Sequence, residues 1–190
     1  MSSFKFSLEA RSPLDLYQRT IGSVTLEEVS DLAIVSIAAP LDGEAALHKV
    51  VDKKLGAQWP SIGTSTLTPH GHRLLGLQAD MIFAVFAHPG GRAEVSIQDQ
   101  LSADCYVTDQ SDAFVVLAVA GSGVTDALER VCPLDLSSKA FPVGCTLQTS
   151  MEHIGVTISK QSEDCFWLLA ATSYAGSLCH AMETAVIQTQ

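Results

Sequence analysis

Residues 31–39 read DLAIVSIAA, and residues 112–120 read DAFVVLAVA. Each stretch opens on an aspartate and continues as a short, β-branched apolar run. A run that is apolar at every position is the pattern of a strand buried on both faces. The residues after each stretch repeat as well. Asp112 lies 81 positions after Asp31, and Ala127 and Leu128 lie 81 positions after Ala46 and Leu47. A strand ending at Leu77 has its counterpart ending at Ile158, at the same spacing. Apolar strands over residues 80–87 and 164–171, opened by Asp80 and Asp164, come next, with three extra residues assigned to the second turn. An ordered series of matches points to a duplicated unit.

Each unit has a physical reading. Gly121, Ser122 and Gly123 break the second apolar run. Val124, Ala127, Leu128 and Val131 then fall at helical spacing, as Leu47, Val50 and Val51 do in the first unit. Two strands come after the helix, over residues 74–77 with 81–87 and over residues 156–159 with 166–170, joined by polar turns that suit hairpins. A closing helix is carried by Leu178, Met182, Ala185 and Val186, with Ser173 or Ser177 as its N-cap. In the first unit the stripe is Val95, Gln98, Leu101 and Ser102. A short strand is expected near residues 105–108. The order strand, helix, strand, strand, helix, given twice, predicts an α+β fold built from two ferredoxin-like split βαβ units. Residues 31–108 form the first half of a single domain and residues 109–190 the second. Residues 1–30 read as an N-terminal extension, and residues 58–71, rich in Gly, Ser, Thr and Pro, as a loop.

The composition narrows the function classes. The 190 residues carry a formal charge of −10, yet only 17% are charged and 47% are hydrophobic. That hydrophobic fraction excludes intrinsic disorder, and the acidic balance argues against a nucleic-acid binder. The longest apolar run, residues 113–121, is about half of the roughly 20 residues that a membrane-spanning helix needs. The first nine residues, MSSFKFSLE, have no apolar core and do not read as a signal peptide. Five cysteines are scattered without a Cys-x-x-Cys pair, which fits reduced thiols in a cytoplasmic protein. With so few charges, a lone domain would expose apolar surface, and such surface marks interaction sites.

Groups able to do chemistry are few. His70 and His72 are spaced to converge on one strand face, but no third ligand is near in sequence, and a zinc site takes three or four. Cys145 with His153 would make a thiolate–imidazole pair, and a small buried cysteine is the alternative. Gly90 and Gly91, after Pro89, precede a helix without a phosphate-binding fingerprint. Gly121, Ser122 and Gly123 read as a tight strand-to-helix turn. Glu27 and Glu28 read as a solvated edge, His180 as a helix-edge residue, and Asp135 as a cap for the turn at Ser137 and Ser138. None of these forms a catalytic constellation. Pro133, Leu134, Leu136, Phe141, Pro142 and Val143 differ from these. They are apolar residues in a connection where polar ones would serve. Either they tuck onto the domain's own core or they face a partner.

The run Cys132-Pro133-Leu134-Asp135-Leu136, then Ala140-Phe141-Pro142-Val143-Gly144, Thr149 and Thr172-Ser173-Tyr174-Ala175, resembles the gamma subunit of heterotetrameric sarcosine oxidase. Arg11-Ser12-Pro13-Leu14 and Leu26-Glu27-Glu28 look like that family's opening. Where the family reads G-P-D-E-W-L, this chain has Gln78-Ala79-Asp80-Met81-Ile82-Phe83, and Tyr174 stands for the usual phenylalanine. The resemblance implies a fold related to the folate-binding domain of the glycine cleavage T-protein. It also implies alpha, beta and delta partner subunits. Their complex oxidises the N-methyl group of sarcosine with FAD, FMN and NAD, and passes the one-carbon unit to tetrahydrofolate. Flavins and folate belong to alpha and beta, and zinc to delta. No catalytic, cofactor or metal residue is expected here, and the chain would be a structural subunit packed chiefly on alpha. The alternatives are a free-standing folate-binding protein, with its cavity between the two halves, and an enzyme using Cys145.

Overall fold

A computed structural model describes residues 11–88, 90–101 and 104–190. The reading of the first nine residues, and Ser102 of the helical stripe, lie outside the described residues. The chain forms two antiparallel sheets. The strands are β1 (Gln18–Ile21), β2 (Val24–Glu28), β3 (Leu32–Ala38), β4 (Ser65–Leu67), β5 (Arg73–Gly76), β6 (Met81–Ala87), β7 (Tyr106–Asp109), β8 (Phe114–Ala120), β9 (Thr146–Met151), β10 (Ile154–Ser162) and β11 (Cys165–Ala171). The helices are α1 (Glu44–Leu55), α2 (Ala93–Leu101), α3 (Val124–Glu129) and α4 (Ala175–Ile187). One sheet runs β4-β5-β6-β3-β7 and the other β1-β2-β8-β11-β10-β9.

Alternation along the strands explains the layering. Ala33, Val35 and Ile37 of β3 face the helices with Leu47, Val51 and Leu55 of α1, while Ile34 faces the other sheet. In β8, Val115, Leu117 and Val119 face α3 and α4, and Val116 faces inward. The two sheets therefore pack face to face over Ile34, Leu75, Phe83, Val85, Val116 and Leu169, with helices outside both. Central strands covered on both sides need unbroken apolar runs, which is what residues 31–39 and 112–120 supply.

The second sheet takes its edge from an unexpected place. In the first sheet the order β5-β6-β3-β7 is that of a split βαβ unit, with β7 following α2 in sequence. In the second sheet no strand follows α4. The place of β7 beside the first strand is taken by β2, which pairs antiparallel with β8 from Thr25 against Ala120 to Glu28 against Leu117. Residues read as an extension are thus structural, and Val24 and Leu26 are buried in the second core. Their turn lies so close to Gly121 that a Cβ there would meet the Ser23 carbonyl oxygen at 1.9 Å.

Hydrogen bonds correct the spacing between the halves. Ala39 N–H donates to the Asp80 carbonyl at 2.9 Å, and Gly121 N–H to that of Asp164 at 2.8 Å. Gln110 N–H donates to Ile34 at 2.8 Å, and Val29 N–H to Val116 at 2.9 Å. Both comparisons set β3 and β8 apart by 82 residues instead of 81. A one-residue slip would turn every side chain to the wrong face. At 82, Ile34 and Val116 both face inward and Val35 and Leu117 both face the helices. The pairs Arg73 with Val85 and Thr157 with Leu169 give 84 throughout that hairpin, so its turn carries no insertion. The three extra residues lie one hairpin earlier, between β9 and β10.

Other expectations also shift. β4 lies within the segment read as a loop, and β9 has no counterpart in the expected strands. α2 buries Ala93, Ile97 and Leu101, so its stripe is one turn-face away from Val95. No side chain caps α4, which is entered through a short 3₁₀ turn over Thr172–Tyr174.

The first strand and the last helix are clamped together. Tyr17 Oη donates to Glu183 Oε1 on α4, and Arg19 Nη1 lies 2.7 Å from the same oxygen. Burial and the Glu183 hydrogen bond push the Tyr17 phenol up, and its hydroxyl stays protonated. The donated hydrogen bonds hold the Glu183 carboxyl below the usual carboxylate range. A lowered folded-state value stabilises the fold fully above the ordinary glutamate value of about 4.3 and is lost as pH falls through the lower folded value. Acid titration of thermal stability should show this loss for the wild-type chain and a flatter acid limb for Glu183→Gln. Tyr17→Phe should cost about 1 kcal/mol at neutral pH by denaturant unfolding.

Candidate functional site

The apolar connection from Pro133 to Val143 divides in two. Leu136 and Phe141 are each 1% exposed and belong to the second core, where Phe141 lies 6.2 Å from the Phe166 ring. They are fillers of this chain and not free anchors. Leu134 is half-buried against the same core, whereas Pro133, Pro142 and Val143 are exposed. A buried cation ties the segment down. Lys160 Nζ, on a side chain 2% exposed, lies 3.0 Å from Glu163 Oε2 and 5.6 Å from the Phe166 ring centre. Glu163 also accepts from Ser138 Oγ at 3.0 Å. Asp135 Oδ1 accepts the Ser137 N–H at 3.0 Å, the expected local cap.

At the end of this connection the two lobes join mainly through backbone hydrogen bonds, with the Cys145 thiol and Ser65 hydroxyl adding to them. Thr64 and Cys145 form an antiparallel bridge. Thr146 N–H donates to Gly63 at 2.9 Å, and Ser65 N–H donates to Gly144 at 2.6 Å, a reciprocal pair. Gly63 and Gly144 have φ of +88° and +87°, which a side chain would strain. Each is the third residue of a tight turn. One is closed by Thr64 N–H to Ser61 at 3.0 Å, the other by Cys145 N–H to Pro142 at 2.9 Å. The second residues of these turns, Ile62 and Val143, are 62% and 48% exposed. Sequence reasoning missed Ile62. The signal was present in the match of Ser61-Ile62-Gly63 to Pro142-Val143-Gly144.

The far end of the lobe boundary holds a cleft of about 810 Å³. Its walls are the starts of β3 and β8, the Arg11–Leu16 segment, Gly90 and Gly91, His88 and Thr172. Gly90 and Gly91 thus line a cavity. Glu28 shapes this wall and is not a solvated edge. At 6% exposure it accepts from Ser12 Oγ at 2.7 Å, Leu16 N–H at 2.9 Å and Leu14 N–H at 3.1 Å. Glu27 is exposed, as expected.

The remaining candidates separate. Cys145 donates to the Gly63 carbonyl at 3.3 Å, and burial pushes its thiol up, against thiolate chemistry. His153 sits at the opposite end of β9, so the two make no pair. His72 lies tilted against Phe86, ring centres 4.6 Å apart, and burial, with the charge of His70, pushes its imidazole down. Among the described residues no three His, Cys, Asp or Glu side chains gather to hold a metal. His180 is exposed on α4. Gly121, Ser122 and Gly123 form the tight turn into α3, braced by Ser23 Oγ on the Ser122 carbonyl.

The whole architecture, both sheets included, recurs in known proteins. The chain is 25% identical over 162 residues to the sarcosine oxidase subunit gamma of an Arthrobacter species. It is 27% identical over 164 residues to that of Corynebacterium strain P-1, covering 85% of this chain and 79% of the relative in each case. This chain resembles sarcosine oxidase gamma subunits. In fold it matches a chain of heterotetrameric sarcosine oxidase from Corynebacterium U-96 with a TM-score of 0.81. That match has 22% identity and covers 95% of this chain and 96% of that one. The aminomethyltransferase T of the Bartonella henselae glycine cleavage system shares the fold at a TM-score of 0.60 and 17% identity. It covers 84% of this chain and 45% of that one. No family model matches the chain.

Glu28→Ala would leave two backbone donors and a hydroxyl without their acceptor beside the cleft, which should cost about 2–3 kcal/mol in denaturant unfolding. Cys145→Ser keeps the small side chain and its donor, and should stay within about 1 kcal/mol of the parent.

Proposed function

We propose that this chain is the structural gamma subunit of a sarcosine oxidase-type heterotetramer. The observation that carries this is whole-chain agreement: the fold match spans nearly all of this chain and nearly all of its counterpart. In this reading the chain carries no catalytic residue. It packs, chiefly on the alpha subunit, within a cytoplasmic complex of alpha, beta, gamma and delta chains. That complex oxidatively demethylates sarcosine or a related N-methyl amine and passes the one-carbon unit to tetrahydrofolate. FAD, FMN, NAD, the folate and zinc sit on the partner subunits. Burial that raises the thiols of Cys132, Cys145, Cys165 and Cys179, away from thiolate chemistry, supports a chain whose chemistry is done elsewhere. The common strand order and the reciprocal Gly63 and Gly144 hydrogen bonds support a further point, that the two lobes descend from one duplicated ferredoxin-like unit. Partner binding would stabilise the folded chain by mass action.

One observation favours a second reading, a folate-binding protein of the glycine cleavage type. The 810 Å³ cleft between the lobes falls in the range of small-molecule sites.

Co-expression with the large subunits of such a complex separates the two. A stable complex that co-purifies and shows flavin absorption is the expected result, and failure to assemble would overturn the subunit reading. Calorimetric titration of the isolated chain with tetrahydrofolate should give no micromolar binding, whereas micromolar affinity would favour the second reading.

A further inference from the structure

The turns at Ile62 and Val143 each lie in a charge-free stretch of the chain; residues 113–125 and 165–182 are two others. No Asp, Glu, Lys or Arg occurs between Lys54 and Arg73, and none occurs between Lys139 and Glu152. These two stretches are far apart in sequence, yet the Thr64–Cys145 bridge brings them side by side. The reciprocal hydrogen bonds relate the two turns by a local two-fold, so Ile62 and Val143 stand at equal height at the same end of the molecule. That end is opposite the cleft. Gly76 at the end of β5 pairs with Ile82, and Ile82 pairs with Ile37 at the end of β3, whereas the cleft borders the start of β3. Ser61 and Pro142, which open the two turns, are exposed beside them.

We infer that this paired-turn surface, centred on Ile62 and Val143, docks an uncharged, apolar face of a larger partner subunit. The inference rests on the subunit reading above and names the surface it uses. Charge selects the occupant. A charged partner group would be stripped of water on the turns, at a cost in affinity, and a cation near the bridge, Arg73, is half-buried and already donates to Ser65 Oγ at 3.3 Å. A second copy of this chain would bring another net charge of −10, and the repulsion disfavours that pairing. A neutral apolar face on a different chain meets neither penalty. The surface is also preorganised. Both turns are fixed by main-chain hydrogen bonds, and the second is anchored next to Phe141 in the core, so little conformational freedom is lost on docking. Apolar residues held rigidly in this way are the kind that carry binding energy.

The test uses the full chain co-expressed with the alpha, beta and delta subunits. Ile62→Asp and Val143→Asp place a charge on exposed positions, so thermal melting of the isolated variants should match the parent. Each should weaken association, read by size exclusion with light scattering and by titration, about tenfold, and the double variant about a hundredfold. Ile187→Asp, equally exposed but on the outer helix α4, should associate as the parent does. Association of the double variant within about threefold of the parent would overturn the inference. So would an equal loss in Ile187→Asp. A parent chain that elutes alone as a dimer, dissolved by the double substitution, would assign the surface to a second copy instead. If the unsubstituted chain does not join the complex at all, the subunit reading fails, a result distinct from these.

Discussion

The pairing of β2 with β8 is the constraint on which the rest of the molecule depends. The second sheet has no strand after α4 to cover the flank of β8, and the chain fills that place with its own first strands. Three other features depend on it. Val24 and Leu26 complete the second core under α3 and α4. The connection from β2 to β3 becomes a wall of the cleft, and the buried Glu28 is its fastener, gathering the preceding segment through three hydrogen bonds. β1 reaches α4, where Tyr17 and Arg19 lock onto Glu183. The second core is thus completed by residues that precede the first lobe in sequence, whereas the first core draws only on residues 33–107.

The contact between the lobes has a different character from the two outer cores. Six buried apolar side chains meet between the sheets, against much larger clusters beneath the helices. Ser36, Thr157 and Ser159 are buried in β3 and β10, on the side chains that alternate with the outer cores. Apolar packing is non-directional, so a small and partly polar inner layer fixes relative orientation poorly. The backbone bridge at Thr64 and Cys145 supplies the missing direction, since main-chain hydrogen bonds are geometrically strict. Gly63 and Gly144 make it possible by accepting a positive φ on both sides.

Much of this was legible in the sequence, for a physical reason. Strands buried on both faces are apolar at nearly every position, so β8, β6 and β11 stand out as uninterrupted runs and β3 as one broken only at Ser36. The spacing was misread by one because a fully apolar strand carries no alternation to fix its register. The hydrogen bonds of Ala39 and Gly121, and those received by Ile34 and Val116, decide it. β1 and β2 were invisible for a related reason. β2 pairs with β8, roughly ninety residues on, β1 pairs only with β2, and an exposed edge strand such as Gln18–Ile21 has no strong pattern. Glu28 was misread because a carboxylate's burial depends on donors, and here these are mostly backbone N–H groups that leave no mark in sequence. Of the apolar connection, the sequence identified the segment but not the split between Leu136 and Phe141, which fill the core, and Val143, which does not.

The low charge and high apolar content take on a more exact meaning in this architecture. Four layers, helix over sheet over sheet over helix, bury the central strands twice over, and that alone requires an apolar composition in a chain of this size. Mean composition is therefore weak evidence for a partner. The local distribution is stronger. The chain has several stretches free of any charge, and the fold sets two of them, residues 55–72 and 140–151, beside each other at one end, with an apolar residue exposed in each. Burial cannot account for that arrangement, because Ile62 and Val143 are in solvent. A surface kept neutral on both sides of a local two-fold, and held rigid by backbone hydrogen bonds, is better explained by what it meets than by the fold it belongs to.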